Sequence, residues 1–365
     1  MELHKVPRRP GRRSGEALRL QGHPGGHRQG SGKTPRCLTP VRVFGHRVST
    51  ARFHNRYPHA RPTARDFWRL WREYRRNRPP RVAFPRAGND PAWLGANHSA
   101  DTLTWVGHDT FLVQWGGLNL LTDPIYGERA SPLPFAGPKR LVPPALAFER
   151  LPPIDVVLVS HNHYDHLDAP TIKRLIHAHP HTHFVVPKGL RRWFTRRGAS
   201  RVIELDWWQS APLGAATVTA VPAQHFTSRG LRDRNRTLWC GFVVEAAGRK
   251  LYFAGDTGYS RDFADIGARF APIDMALIPI GAYEPRWFMQ AMHVNPEDAV
   301  KIHQDLGARL SVAMHWGTFC LTTEPLDEPP RRLAAACTAA GLPAGCFRVL
   351  QHGETLQLGT PPVNR

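Results

Sequence analysis

Four short apolar runs punctuate the middle and end of this chain, and each stops at a side chain able to ligate a metal. Val156-Val157-Leu158-Val159 leads into Ser160-His161, and Ala220-Val221-Pro222-Ala223-Gln224 into His225. Leu251-Tyr252-Phe253-Ala254-Gly255 leads into Asp256, and Leu310-Ser311-Val312-Ala313-Met314 into His315. Their length and β-branched content predict buried strands rather than helices. Helical signals separate them. Asn295 reads as an N-cap, Pro296 as the first helical residue and Glu297-Asp298 as an acidic first turn, which predicts a helix over residues 296–306. A second helix is expected over 328–340, and residues 347–354 read as a last strand and turn. Strands interleaved with helices place the chain in the α/β class. Ligand-type residues at strand ends converge where a rigid scaffold presents side chains to a shared cleft.

The first run opens the densest stretch, Ser160-His161-Asn162-His163-Tyr164-Asp165-His166-Leu167-Asp168. No helix or strand puts His161, His163, Asp165 and His166 on one face, so the segment must be a loop folding back around a point. Imidazole and carboxylate are the ligand set of zinc and its neighbours. A second run of histidines, His177, His179, His181 and His183, has no distant partners and is read as surface. With His225, Asp256 and His315 added, the loop predicts a two-metal site. Neutral imidazoles supply affinity without cancelling the metals' charge, which explains why only Asp165 and Asp256 are carboxylates. Two cations about 3.5–4 Å apart can hold a shared water as hydroxide and steady both oxygens of an in-line phosphoryl displacement. Asp123 and His108 are the expected residues behind the ligands, orienting the imidazoles. His293, before the Asn295 cap, is expected to touch a substrate phosphate or protonate the leaving oxygen. Arg229 and Tyr259 are expected near an anionic substrate.

These residues give the chain its resemblance to the metallo-β-lactamase superfamily, whose His-x-His-x-Asp-His loop stands here at 161–166. The resemblance implies a four-layer αβ/βα sandwich with zinc at the common edge of two sheets. Several further blocks resemble the N-acylphosphatidylethanolamine-hydrolysing phospholipase D family and its bacterial relatives. They are 121–126 (Leu-Thr-Asp-Pro-Ile-Tyr), 253–259 (Phe-Ala-Gly-Asp-Thr-Gly-Tyr), 283–289 (Tyr-Glu-Pro-Arg-Trp-Phe-Met) and 314–319 (Met-His-Trp-Gly-Thr-Phe). The likeness runs over about residues 100–356. It implies that His161, His163 and His225 hold one zinc, that Asp165, His166 and His315 hold the other, and that Asp256 bridges them. Iron or manganese suits the same donors. Met292 departs from the glutamine expected before His293, which bears on substrate contacts and not on the metals.

Charge is unevenly spread. Residues 1–90 carry 22 Lys+Arg against 5 Asp+Glu, while the rest of the chain has a net charge of only +3. Three parts are therefore expected: a basic extension without periodicity over 1–50, read as disordered; a basic helix-containing lead-in over 51–90; and a catalytic domain over 91–365. In the lead-in, Phe67, Leu70, Trp71 and Tyr74 recur at helical spacing among arginines. That face either packs on the main domain or lies, over residues 65–76, in the headgroup zone of a membrane as a peripheral contact. No uncharged apolar run reaches 18 residues, so no spanning helix is expected. Cys37, Cys240, Cys320, Cys337 and Cys346 are odd in number and lack Cys-x-x-Cys spacing, which argues against disulfides and for the cytoplasm, with peripheral association at the inner face of the membrane. No oligomeric interface is legible, and a homodimer is admitted.

The function these features imply is zinc-dependent phosphodiester hydrolysis of phospholipase D type. N-acylphosphatidylethanolamine-like lipids would give phosphatidic acid and N-acylethanolamine. Hydrolysis of a soluble ester or phosphate, lactonase-like, is the alternative. A nuclease using the basic arm is a third reading, but that arm lacks aromatic-interleaved strands, and no nucleic-acid partner is expected.

Overall fold

The strand runs fold as the alternation dictates, and they do so in two sheets. The computed structural model describes residues 52–60 and 63–358, so the extension over 1–50 lies outside the described residues. The strands are β1 (Thr102–Gly107), β2 (Thr110–Trp115), β3 (Leu118–Thr122), β4 (Val156–Leu158), β5 (His183–Pro187), β6 (Val202–Leu205) and β7 (Ser210–Leu213). There follow β8 (Ala216–Val221), β9 (Gly241–Ala246), β10 (Arg249–Phe253), β11 (Ile273–Pro279), β12 (Ala308–Met314), β13 (Phe347–Arg348) and β14 (Thr355–Gln357). The helices are α1 (Ala64–Arg76), α2 (Pro91–Ala96), α3 (Ala169–Ala178), α4 (Arg191–Thr195), α5 (Asp262–Phe270), α6 (Arg286–Met289), α7 (Pro296–Asp305) and α8 (Glu328–Ala339).

Among the described residues one sheet has the order β14-β1-β2-β3-β4-β5-β6 and the other β13-β12-β11-β10-β9-β8-β7. Leu103, Trp105, Phe111 and Val113 of the first meet Val218, Phe242, Tyr252 and Leu277 of the second in one buried core. The outer face of the first sheet, with Leu112, Leu121 and Val157, is covered by Ile172 and Leu175 of α3 and Phe194 of α4. Helices α5, α7 and α8 cover the second sheet through Phe263, Ile302 and Leu333. This is the α/β sandwich that the resemblance implied.

Strand direction decides where the site falls. β3, β4 and β5 run parallel, and β1 and β3 both run antiparallel to β2, so the C-terminal ends of β1, β3 and β4 share an edge. In the second sheet β10, β11 and β12 are parallel, and β8 joins their direction because both β8 and β10 oppose β9. All four ligand-bearing runs therefore end along one edge of the sandwich. Several non-glycine residues there hold left-handed backbone, among them His108 at φ 55°, Asp123 at 28° and His315 at 61°. Such conformations cost energy and persist where surrounding structure enforces them, commonly at functional sites.

Helix α1 starts with a capping box, Thr63 Oγ1 accepting from Asp66 N while Thr63 N donates to Asp66 Oδ2 at 2.7 Å. One side of it packs. Leu70 lies against the cluster of Phe288, Met289, Ala291 and Met292, and the Phe67 ring meets Phe288 edge-on at 5.1 Å. Tyr74 Oη donates to Cys320 O at 3.1 Å. Trp68 and Trp71 remain 58% and 54% exposed. Among the described residues Cys240, Cys320, Cys337 and Cys346 are free thiols, and no helix is long and apolar enough to cross a membrane.

Candidate metal centre

The loop that leaves β4 turns back on itself and brings His161, His163, Asp165 and His166 to the sheet edge, where His225, Asp256 and His315 arrive from the second sheet. All seven are buried or nearly so. Their donor atoms fall into two groups. In the first, His161 Nε2 lies 2.9 Å from His163 Nδ1, which lies 3.2 Å from His225 Nε2. Asp256 Oδ2 closes this group at 3.7 Å from His161 and 3.6 Å from His225. In the second, His166 Nε2 is 3.4 Å from Asp165 Oδ2 and 3.2 Å from Asp256 Oδ2. There His315 Nε2 is 3.6 Å from Asp165 Oδ2 and 3.0 Å from Asp256 Oδ1. A tetrahedral ion with bonds of 2.0–2.1 Å needs donors about 3.3 Å apart, so both groups fit a divalent cation. His166 Nε2, His315 Nε2 and Asp256 Oδ1 are buried without a hydrogen-bond partner, as atoms aimed at a cation would be. Asp256 alone touches both groups.

Hydrogen bonds behind the donors fix which nitrogen faces inward. Ser160 Oγ donates to Asp123 Oδ2 at 2.5 Å, so it can only accept from His161 Nδ1 at 2.9 Å, which leaves Nε2 free for a metal. His166 Nδ1 donates to the same Asp123 oxygen at 2.7 Å, and Ser160 N donates to Asp123 Oδ1 at 2.7 Å. His225 Nδ1 donates to Met292 O at 2.9 Å. Asp123 thus orients two imidazoles, one directly and one through Ser160. Asn55 Oδ1 accepts from the backbone of His225 at 3.2 Å and from Trp239 Nε1 at 2.9 Å, which pins the third.

Electrostatics follow from burial and the neighbouring charges. Burial, then the other imidazoles, push His161 well below the usual histidine range. Burial also takes His163 to about 3 and His225 to about 4, so all three are neutral, as ligation requires. For His166 and His315 burial works the same way, but nearby carboxylates, Asp256 foremost, outweigh it and hold both well above that range. Asp109, fully buried beside His166 and His315, is raised by burial to about 7.

The other residues expected at the site divide. His293 lies at its wall, buried, with Nδ1 3.9 Å from Asp256 Oδ2 and without a hydrogen bond. His108 is present in a different role. Its Nε2 lies 3.2 Å from Asp165 Oδ2, so it steadies a carboxylate and not an imidazole as expected. Arg229 points away from the donors. Its Nη1 donates to the carbonyls of Asn162 at 2.8 Å and Leu167 at 2.7 Å, and the guanidinium stacks on Tyr164, so it clamps the ligand loop from behind. Tyr259 is also elsewhere, its hydroxyl donating to Asp305 at 2.8 Å on the outer surface. Both lie within four positions of a ligand in the sequence, yet their side chains bond away from the donors. Ser160, Asp109 and Asn55 are site residues that sequence reasoning does not single out. Ser160 and Asp109 abut residues already singled out, but the partners of Asn55 lie 170 and 184 positions away, which no local pattern shows.

A family model for the beta-lactamase superfamily domain matches residues 118–316. The chain belongs to the metallo-β-lactamase superfamily. Within it, an N-acyl-phosphatidylethanolamine-hydrolyzing phospholipase D from Caenorhabditis elegans is 45% identical over 241 residues, covering 63% of this chain and 68% of that protein. A mitochondrial phospholipase D with the same description from Saccharomyces cerevisiae is 36% identical over 251 residues, covering 67% of this chain and 53% of that protein. The fold matches that of a metallo hydrolase from Ignicoccus hospitalis with a TM-score of 0.55 at 21% identity, covering 72% of this chain and all of that one. Membership of the superfamily and the two donor groups make this a metal-dependent hydrolase.

Gly255 shows how tightly the segment before Asp256 is packed. It has φ +60°, and a Cβ there would sit 2.5 Å from that of Ser160. Gly255→Ala is expected to cost about 1–3 kcal/mol of stability through backbone strain. Because it shifts Asp256 and Ser160 together, zinc uptake measured by a chromogenic chelator should weaken as well. Unchanged uptake and melting would show that the neighbouring turn absorbs the methyl.

Proposed function

We propose that the protein is a phospholipase D-type phosphodiesterase with two zinc ions, acting on N-acylphosphatidylethanolamine-like lipids. The observation that carries this reading is a single cavity of about 690 Å³ in which His163, Asp165, Asp256 and His293 share walls with Leu70, Trp71, Tyr74, Phe288 and Met289. A reaction point for a phosphate and a channel for alkyl chain thus open into one another. A small hydrophilic ester would have no use for the apolar wall, whereas a lipid would.

Zinc bound at the two donor groups would lower the pKa of water and polarise a phosphoryl oxygen. The chain's own residues do the rest. His161, His163, His225 and Asp256 would hold one ion, and Asp165, His166 and His315, with Asp256 between the groups, the other. His293 is held by Arg286, whose Nη1 donates to the His293 carbonyl at 2.8 Å while Nη2 pairs with Asp298 at 2.8 Å. Burial first, then His225 and His315, keep the His293 ring neutral. A phosphodiester anion beside it would raise its proton affinity, so it can donate to the phosphoryl group and pass a proton to the departing alkoxide. Water supplies the new P–O bond and releases one proton, which replaces the one His293 passes to the headgroup oxygen as its bond to phosphorus breaks, so the products are phosphatidic acid and N-acylethanolamine.

Purified protein on N-palmitoyl-phosphatidylethanolamine in mixed micelles should release N-palmitoylethanolamine and stop when zinc is chelated. Turnover of water-soluble phosphodiesters with none of the lipid would overturn the reading. Lipid access is supported by α1, where Arg72 lies 4.6 Å over Trp68 and Arg75 4.9 Å over Trp71, and by Phe135, 75% exposed on the loop that also brings Gly137 and Pro138 to the cavity. Aromatics flanked by arginines suit an anionic headgroup layer. Replacing Trp68 and Phe135 with alanine should weaken partition onto anionic vesicles by roughly tenfold. Hydrolysis of a micelle-free short-chain lipid should be unchanged. Equal vesicle binding by the variant would remove this surface from the account.

A further inference from the structure

Beside the lipid cavity lies a second one of about 410 Å³, sharing Phe67, Phe226 and Met292 with the first. Its character is opposite. Arg52, Arg234, His54 and His59 line it, and no aspartate or glutamate does. It is formed where the strap of residues 52–60 crosses the 226–235 loop, with Phe53 N donating to Asn235 O and Asn235 Nδ2 to Phe53 O. Arg52 Nη1 donates to Arg234 O at 2.8 Å.

The neighbouring acids are already committed. Arg56, on the same strap, pairs with Asp262 at 2.7 Å and Asp265 at 2.9 Å. Asp233, next to Arg234, accepts from the backbone nitrogens of Arg229 and Gly230 and closes its own turn. Among the described residues neither Arg52 nor Arg234 has a carboxylate partner. Two guanidinium groups face one cleft, and burial, then Arg52, depress the Arg234 guanidinium. Like charges gathered without a counterion favour an anion.

The cleft is also next to the chemistry. The Arg234 guanidinium lies 4.4 Å from the Phe226 ring centroid, and that ring lies 4.6 Å from His163 and 5.0 Å from His225. One aromatic ring separates the cations from two zinc-type donors.

We infer that the Arg52–Arg234 cleft is an anion subsite for the headgroup end of the substrate, so that the preferred phosphodiester carries a second anionic group, a carboxylate or phosphate, on its leaving alcohol. This rests on the phospholipase reading and sharpens its substrate class. The apolar cavity takes alkyl chains, and the cationic one takes the anionic group of a headgroup that carries one.

The test compares dioctanoyl-phosphatidylethanolamine carrying N-glutaryl, which ends in a carboxylate, with the N-pentanoyl lipid of the same length. The zinc-loaded protein should show a KM about tenfold lower for the glutaryl lipid. Arg234→Gln and Arg52→Gln should erase that difference while leaving kcat and the pentanoyl KM unchanged. Equal KM values in the parent protein, or variants that shift both lipids alike, would overturn the subsite. If neither lipid turns over, the phospholipase reading fails, and calorimetric titration with N-glutarylethanolamine then decides the subsite alone. Binding that falls about tenfold in the double variant supports it, and undiminished binding ends it.

Discussion

Asp256→Ala is expected to abolish hydrolysis and, if the two proposed ions are bound, to cost the protein at least one of them. Its two oxygens stand 3.0 Å from His315 Nε2 and 3.2 Å from His166 Nε2 in one group, and 3.6–3.7 Å from His225 and His161 in the other. No other carboxylate spans both. Removing it takes away the shared negative charge that would hold two cations close, and leaves five imidazoles facing one another. Loss of a single preorganised electrostatic partner costs about 10²–10³ in kcat, and loss of a ligand adds to that. Metal content by mass spectrometry should fall below two per chain, and kcat should fall at least about a thousandfold. A variant holding two ions with near-parental turnover would refute the bridging role.

The second large effect is expected at Asp123, which touches no metal donor position. Its carboxylate accepts from Ser160 N, Ser160 Oγ and His166 Nδ1 in a wholly buried setting. Asp123→Asn is nearly isosteric, so a loss there reports on proton placement and not on volume. An amide nitrogen in place of Oδ2 cannot accept from His166 Nδ1–H. The ring must then change tautomer, putting a proton on the nitrogen that faces the second donor group. Orienting partners of this kind are worth about 10–100-fold in metal affinity. Asp123→Ala should lose that and also stability, since each buried donor left without a partner costs about 1–3 kcal/mol. Competition titrations against a chelator and melting curves of the metal-free protein separate the two. Should Asp123→Asn bind zinc as tightly as the parent, the tautomer argument fails.

Much of this centre is legible in the sequence because its donors sit where strands stop. A strand that ends in a histidine or an aspartate announces both its position and its chemistry, and four such ends leave few arrangements. The loop over 161–166 is dense enough to be read alone. What escapes is whatever depends on the direction of a turn or on distant partners. Arg229 and Tyr259 lie close in sequence to His225 and Asp256, yet one turns under the ligand loop and the other outward to Asp305. Glu324 accepts from the backbone of Ala282 and Glu284, 42 and 40 positions away, and so shapes the cavity wall without any local signature. For α1 the sequence left packing and membrane contact as alternatives. Leu70 and Tyr74 pack while Trp68 and Trp71 stay half exposed, because a helix lying on a surface has room for both faces.

Each donor group draws from both sheets. His161 and His163 meet His225 and Asp256, and Asp165 and His166 meet His315. Bound cations would therefore act as rivets through the seam of the sandwich, holding its halves together at the one edge where hydrophobic contact gives way to polar side chains. Binding energy at the centre becomes cohesion of the whole body. Demetallation would then loosen the seam from that edge inward, so catalytic decay and structural softening should share one cause.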